Sequence, residues 1–200
     1  MVTDTWLPEQ ATGEHAMDRW FGLRPDLYEP FRAFYAVFWR DRLVDPVVLE
    51  LCRLRVAQLL GCASELEVRY LPAIDGGLDE SLVDRLPRWP DGAESPDARS
   101  PDARSLGAGP GGVTFTDAQR AALAFAEQFV IDPHGIRGPI RDTLRAHFDL
   151  PEVVALTEAL ALFDGFMRFR MVLGVDPEPA SSPGSAHVIV DPTRLDASLA

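Results

Sequence analysis

Residues 45–70 read DPVVLELCRLRVAQLLGCASELEVRY, and the way this stretch divides decides the fold. It opens on Asp45 and Pro46, which suit an N-cap and a first helical position. The residues that follow are apolar apart from Glu50, Arg53, Arg55 and Gln58. The spacing therefore predicts a helix over 45–60 that stops at Gly61, a residue that tolerates a left-handed turn. Ser64 and Glu67 then stand in S-x-x-E order, a capping-box pattern that predicts a new helix. If the chain reverses between them, the two helices lie side by side. In an unbroken helix Glu50 would sit about 18 Å from Cys62. After a reversal, its carboxylate can turn back toward the sulfur. On the second helix Cys62, Glu65 and Arg69 share one face at i, i+3 and i+7.

Helical periodicity recurs on both sides of this segment. An aromatic-faced helix is predicted over 26–41, with Leu27, Phe31, Phe34, Tyr35 and Phe38 on one side and Pro30 in its first turn. A short helix is predicted over 79–89, ending near Pro87. Three more follow: 116–132 with Thr116 or Asp117 as N-cap, 136–148, and 150–175, bent or broken near Gly165 and ended near Gly174. Residues 90–112 hold the unit PDARS twice among Pro, Gly, Ser and Asp, the composition of a disordered loop insertion. The tail is rich in Pro and Ser; its HVIV could form an edge strand, but one short strand alone is not stable. The expected organisation is an N-terminal extension (1–19), an all-α domain (20–175) carrying the loop insertion, and a flexible tail (176–200).

Bulk composition excludes several functions. With 31 acidic against 19 basic residues the net charge is −12, which opposes binding to nucleic acid or to anionic lipid. No apolar run reaches the roughly 18–20 residues needed to span a bilayer. The first residues have neither the basic nor the apolar region of a signal peptide, so a cytoplasmic location is expected, with thiols reduced. There is no lysine, which excludes Schiff-base chemistry. Two cysteines, Cys52 and Cys62, cannot make a zinc site by themselves. No phosphate loop, zinc-type spacing or nucleophile elbow occurs, so no metal or cofactor is expected.

The residues around Cys62 leave two readings open. A cysteine at a helix N-terminus, near Arg69 and Arg53, has its thiolate favoured, whereas Glu65 and Glu67 oppose it. The alternative is a small buried residue in a tight turn. His134 fits a loop or cap. Asp164, Arg168 and Arg170 either line a pocket or pair with one another.

ELCRLRVAQLLGCASELEVRY resembles the core motif of the carboxymuconolactone decarboxylase and AhpD-like alkylhydroperoxidase superfamily. FTDAQRAALAFAEQFVIDPHGI and PEVVALTEALALFDGFMRFRMVLGV resemble its later helices in the same order, so that roughly residues 20–175 are covered. The resemblance implies an AhpD-like helical domain, with antiparallel helices around the cysteine-containing helix. In AhpD-like peroxidases a Glu and a His relay protons for a redox-active Cys-x-x-Cys pair. The Glu falls on Glu50 and the first cysteine on Cys62, but the second cysteine falls on Glu65 and the histidine on Arg69. An intramolecular disulfide at this site is therefore excluded, and Arg69 cannot act as a base.

Three functions follow as expectations. The first is a one-cysteine, thiol-dependent peroxidase acting through Cys62 and reduced by an external thiol. The second is an acid–base lyase or decarboxylase acting on a small organic acid, using Glu50 and Glu65 with Arg69 holding a substrate carboxylate. The third is a non-catalytic oligomeric binding module. The resemblance further implies a homo-oligomer, a trimer or its multiple. The expected ligand is a small molecule.

Overall fold

The computed structural model describes residues 23–90, 114–174 and 187–193. The expectations for the 1–19 extension, the PDARS repeats and the tail residues 176–186 and 194–200 lie outside these residues. The helix at the centre, α2 (Pro46–Leu60), follows α1 (Pro25–Arg40) and begins as its sequence predicts. The Asp45 carboxylate accepts from the backbone N–H groups of Val47 and Val48 at 2.9 and 3.1 Å. Every residue from Pro46 to Ala57 is buried, so α2 is enclosed on all faces rather than laid on a surface.

Two apolar clusters do the enclosing. The larger gathers Phe38, Trp39, Leu49, Cys52, Val56, Phe125, Leu160 and Phe163, among others. The smaller joins Val47, Leu51 and Leu54 of α2 to Leu82, Leu86, Phe115 and Leu123. The long helices α6 (Asp117–Ile131) and α8 (Leu150–Leu173) pack along α2, and α1 packs on α8. Both α6 and α8 start with a complete capping box, Thr116 with Gln119 and Asp149 with Glu152. A shorter helix, α7 (Gly138–Arg145), links them.

Gly61 ends α2 at φ 71°, and the Cys62 N–H donates to the Ala57 carbonyl at 2.9 Å. The chain then reverses as expected, but one continuous second helix does not form. Instead come α3 (Ala63–Leu66), β1 (Val68–Tyr70) and α4 (Leu71–Asp75). Ser64 is inside α3 rather than capping it, since Cys62 occupies the N-cap position. The reason is tertiary. The carbonyls of Glu65 and Val68, which a helix would bond to its own amides, accept from the Arg53 guanidinium at 3.0 and 2.8 Å. The Tyr70 N–H is likewise taken by Glu50 Oε1 at 3.2 Å.

β1 supplies the partner that HVIV lacked in the sequence. β2 (Val188–Val190) pairs with it in parallel, in register Val68–Val188, Arg69–Ile189 and Tyr70–Val190. The stretch at 79–89 divides into α5 (Glu80–Val83) and a 3-10 turn, Leu86–Arg88. Two helix details also differ from expectation. Pro30 lies inside α1 and not in its first turn, because the Arg24 carbonyl already accepts from Leu27 and Tyr28 and starts the helix at Pro25. α8 runs unbroken through Gly165, with Phe163 and Met167 buried on either side of it, and ends at Gly174 at φ 64°. Among the described residues no helix is long and apolar enough to cross a membrane.

Candidate active site around Cys62

The reversal at Gly61 lays residues 62–70 back along α2 in an antiparallel sense. Cys62 sits beside Ala57, Glu65 beside Arg53, and Tyr70 beside Glu50. Seven residues of helix separate Ala57 from Glu50, about 10 Å along the axis. The chain reversal has thus shortened the distance expected for a straight helix, and the space between is filled by a buried polar chain.

That chain can be followed atom by atom. Cys62 Sγ lies 3.6 Å from Ser64 Oγ, and Ser64 Oγ accepts from Arg170 Nη2 at 3.0 Å. Arg170 Nη1 donates to Glu65 Oε1 in a close ion pair. Glu65 Oε2 accepts from Arg53 Nη1 at 2.5 Å. Arg53 in turn holds Glu50 with two bonds, Nε to Oε2 at 2.8 Å and Nη2 to Oε1 at 2.7 Å. With its bonds to the carbonyls of Glu65 and Val68, Arg53 uses all five of its N–H donors. The guanidinium also lies 4.5 Å over the Tyr70 ring.

Every member of this chain is buried, and its two carboxylates face two guanidiniums. Mutual neutralisation is what makes such a cluster tolerable away from water. Burial opposes the Arg53 charge, but Glu50 and Glu65 more than offset it and hold the group well above its usual range. Above the network, Tyr35 and Tyr70 share a hydroxyl–hydroxyl bond of 3.1 Å. Burial raises both phenols above their ordinary value, and the neighbouring negative groups add to the effect.

The structure thus unites three of the four residues singled out in the sequence: Cys62, Glu50 and Glu65. Arg69 is turned elsewhere, because β1 alternates its side chains and Tyr70 takes the inward place. Its guanidinium donates to Glu80 at 3.0–3.2 Å, to the carbonyls of Leu66 and Val68, and meets His187, the residue before β2, at 3.3 Å. Cys52 lies in the apolar core, where burial pushes its thiol up to about 12. Both cysteines are free thiols. His134 sits in a 3-10 turn, Pro133–Gly135, and Asp164 pairs with Arg168 at 3.0 Å on the outside of α8.

Arg53, Ser64 and Arg170 gain most in significance. The i, i+3 spacing of Glu50 and Arg53 on one helix is a sequence signal for their pairing. Nothing in the sequence links Arg170 to a serine 106 residues earlier. An apolar depression of about 250 Å³ between α1 and α8, lined by Phe31, Leu162, Phe166 and Phe169 among others, includes none of the network residues. Among the described residues no group of three or more His, Cys, Asp or Glu side chains could hold a metal ion.

No family model matches the chain. It is 26% identical over 172 residues to YnjA, an uncharacterized protein of Escherichia coli (strain K12), a match spanning 85% of this chain and 84% of that protein. It also superposes on the crystal structure of a protein of unknown function from Agrobacterium tumefaciens, described as a candidate antioxidant defence protein AhpD. The TM-score is 0.58 at 17% identity, over 83% of this chain and 97% of the other. Identity this low carries the fold and not the activity. The chain has a predominantly helical, AhpD-like fold, and its two cysteines are unbridged.

Proposed function

We propose that this protein is a one-cysteine, thiol-dependent peroxidase-type oxidoreductase acting through Cys62. The observation that carries the reading is the contact between Cys62 Sγ and the Ser64 hydroxyl at 3.6 Å. It joins this thiol, unlike Cys52, to a buried chain of charged groups ending at Glu50. The description of the Agrobacterium tumefaciens structure as a candidate for antioxidant defence supports the same class.

In the proposed reaction the Cys62 thiolate attacks the distal oxygen of a small hydroperoxide. The S–O bond forms as the O–O bond breaks; the alkoxide leaves and is protonated, and Cys62 becomes a sulfenic acid. With Glu65 where a second cysteine would stand, an external thiol completes the cycle. One thiol displaces water to form a mixed disulfide, and a second releases Cys62 and leaves as the oxidised disulfide. Glu50 and Glu65 serve by fixing the two arginines. Arg69 is the candidate cation for an acidic substrate group, which would have to displace Glu80. Cys62 is fully buried, so the peroxide must be small and the four-residue helix α3 must open to admit it. A reducing cytoplasm and a homo-oligomer, a trimer or its multiple, belong to the same reading; light scattering measures the latter.

The test is mild peroxide treatment in the presence of a dione that traps sulfenic acids, followed by peptide mass spectrometry. The adduct is expected on Cys62 and not on Cys52. Undiminished peroxide consumption by a Cys62→Ser variant would reject the reading.

The burial of Cys62 also favours a second reading, a non-catalytic oligomeric binding module, which stands if neither adduct nor turnover is found. The acid–base lyase has less support, because Glu50 and Glu65 are both closed by guanidiniums and Arg69 is engaged by Glu80.

A further inference from the structure

A guanidinium can only donate hydrogen bonds. Arg170 Nη2 donates to Ser64 Oγ at 3.0 Å, so a lone pair of that hydroxyl is committed to the arginine. Toward Cys62 Sγ, 3.6 Å away, the same hydroxyl can then offer its hydrogen. Arg170 is itself held in place by Glu65, which Arg53 fixes from the opposite side. We infer that Ser64 and Arg170 are positioning residues that stabilise the Cys62 thiolate: Arg170 polarises the Ser64 hydroxyl, and the hydroxyl donates to the sulfur.

The geometry gives this device its direction. Donation from a polarised O–H favours the charged form of its acceptor, and the positive charge of Arg170 behind it acts in the same sense. The charged groups behind the Ser64 hydroxyl are, in order along the chain of contacts, Arg170 on α8, Glu65 on α3, and Arg53 and Glu50 on α2, with the hydrogen-bonded Tyr70 of β1 and Tyr35 of α1 against Arg53. The quartet of Glu50, Arg53, Glu65 and Arg170 carries no net charge, and the member linked to the sulfur through the Ser64 hydroxyl is the cation Arg170. A residue from the last long helix thereby reaches the turn after the central one, across 106 residues of sequence.

The inference rests on Cys62 being the reactive thiol, and it is tested separately from peroxide chemistry. The readout is thiolate ultraviolet absorbance against pH in a Cys52→Ser background, with the Cys52→Ser/Cys62→Ser protein as blank. This reports Cys62 without requiring a reagent to enter. Ser64→Ala is expected to move the midpoint upward by roughly one pH unit, while Ser64→Thr, which keeps a hydroxyl, holds it near the parent value. Arg170→Gln is expected to move it the same way, and the double variant by less than the sum. If Ser64→Ala does not fold, Arg170→Gln and Ser64→Thr read the same link. A folded Ser64→Ala or Arg170→Gln protein with the parent midpoint overturns the inference. A shifted midpoint in a protein inert to peroxide supports the inference while rejecting the peroxidase. Peroxide reactivity with no shift does the reverse.

Discussion

Arg53 Nη1 donates to the Glu65 carboxylate at 2.5 Å and to the Glu65 backbone carbonyl at 3.0 Å. One guanidinium therefore fixes both the side chain and the main chain of the residue that the reversal at Gly61 brings beside α2. Glu65 stands where the motif it resembles has a second cysteine. In this chain that position holds an ion pair, so the segment is locked by charge where a redox pair would have allowed a covalent lock.

The first prediction follows from that dependence. Arg53→Met leaves Glu50 and Glu65 buried with only Arg170 to offset them. Breaking one side of a buried ion pair costs about 3–5 kcal/mol, and urea unfolding should register a loss of that size. The double change Arg53→Met, Glu50→Leu removes the stranded charge, keeps the Glu65–Arg170 pair neutral, and should recover part of it. A single variant within about 1 kcal/mol of the parent would mean that water already screens the network.

Glu80 provides the contrast. It pairs with Arg69 at 3.0 Å but remains 47% exposed. An ion pair with one partner in solvent contributes about 0–1 kcal/mol. Glu80→Gln should therefore change stability by less than about 1 kcal/mol, and if Arg69 binds a substrate carboxylate, affinity for small organic acids should rise. Titration calorimetry with such acids checks the second part.

Two glycines predict changes of opposite sign. At Gly61 an added Cβ would meet nothing within 4 Å, yet φ is +71°. Gly61→Ala should thus cost about 1–2 kcal/mol through backbone strain alone. At Gly165 an added Cβ also meets nothing, and the residue lies within α8. Gly165→Ala should stabilise by about 0.5–1 kcal/mol. Thermal melts of the two variants should move in opposite directions. A parallel shift would contradict this account of the turn.

Much of the fold was legible because local signals agreed with it. Asp45 and Pro46 start α2, Gly61 ends it, and Thr116 caps α6, all from side chains within a few residues of the backbone groups they serve. The short pieces after Gly61 were not legible, because their main chain bonds to Arg53, Arg69 and Glu50 instead of to itself. The same divide runs through the site. Glu50, Cys62 and Glu65 could be found on their motif, and Glu50 with Arg53 on helical spacing. Arg170 could not be found, since its place beside Ser64 depends on how α8 packs against α2. Arg69 shared a face with Cys62 only on the assumption of a continuous helix. The strand at Val68–Tyr70 turns it away from Cys62, to a buried place against Glu80 and His187.

The last prediction concerns alkaline pH and the thiol that the mechanism leaves aside. Burial raises Cys52 from an ordinary value near 9 to about 12 in the folded protein. Below about pH 9 both folded and unfolded chains keep this proton, and the contribution of the buried neutral thiol is fully present. Between about 9 and 12 the unfolded chain loses the proton while the folded chain keeps it, so stability falls by about 1.4 kcal/mol per pH unit for this group. Tyr35 and Tyr70, also raised by burial, add losses that begin near the ordinary tyrosine value. A Cys52→Ala variant separates these effects, because the tyrosines are common to both proteins. At neutral pH the variant should be less stable than the parent, having lost buried volume. At about pH 10.5 the deficit should shrink by about 2 kcal/mol, since only the parent has the thiol to ionise on unfolding. Urea unfolding of both proteins at the two pH values measures the difference directly, and a deficit independent of pH would show that Cys52 is not held as a buried neutral thiol.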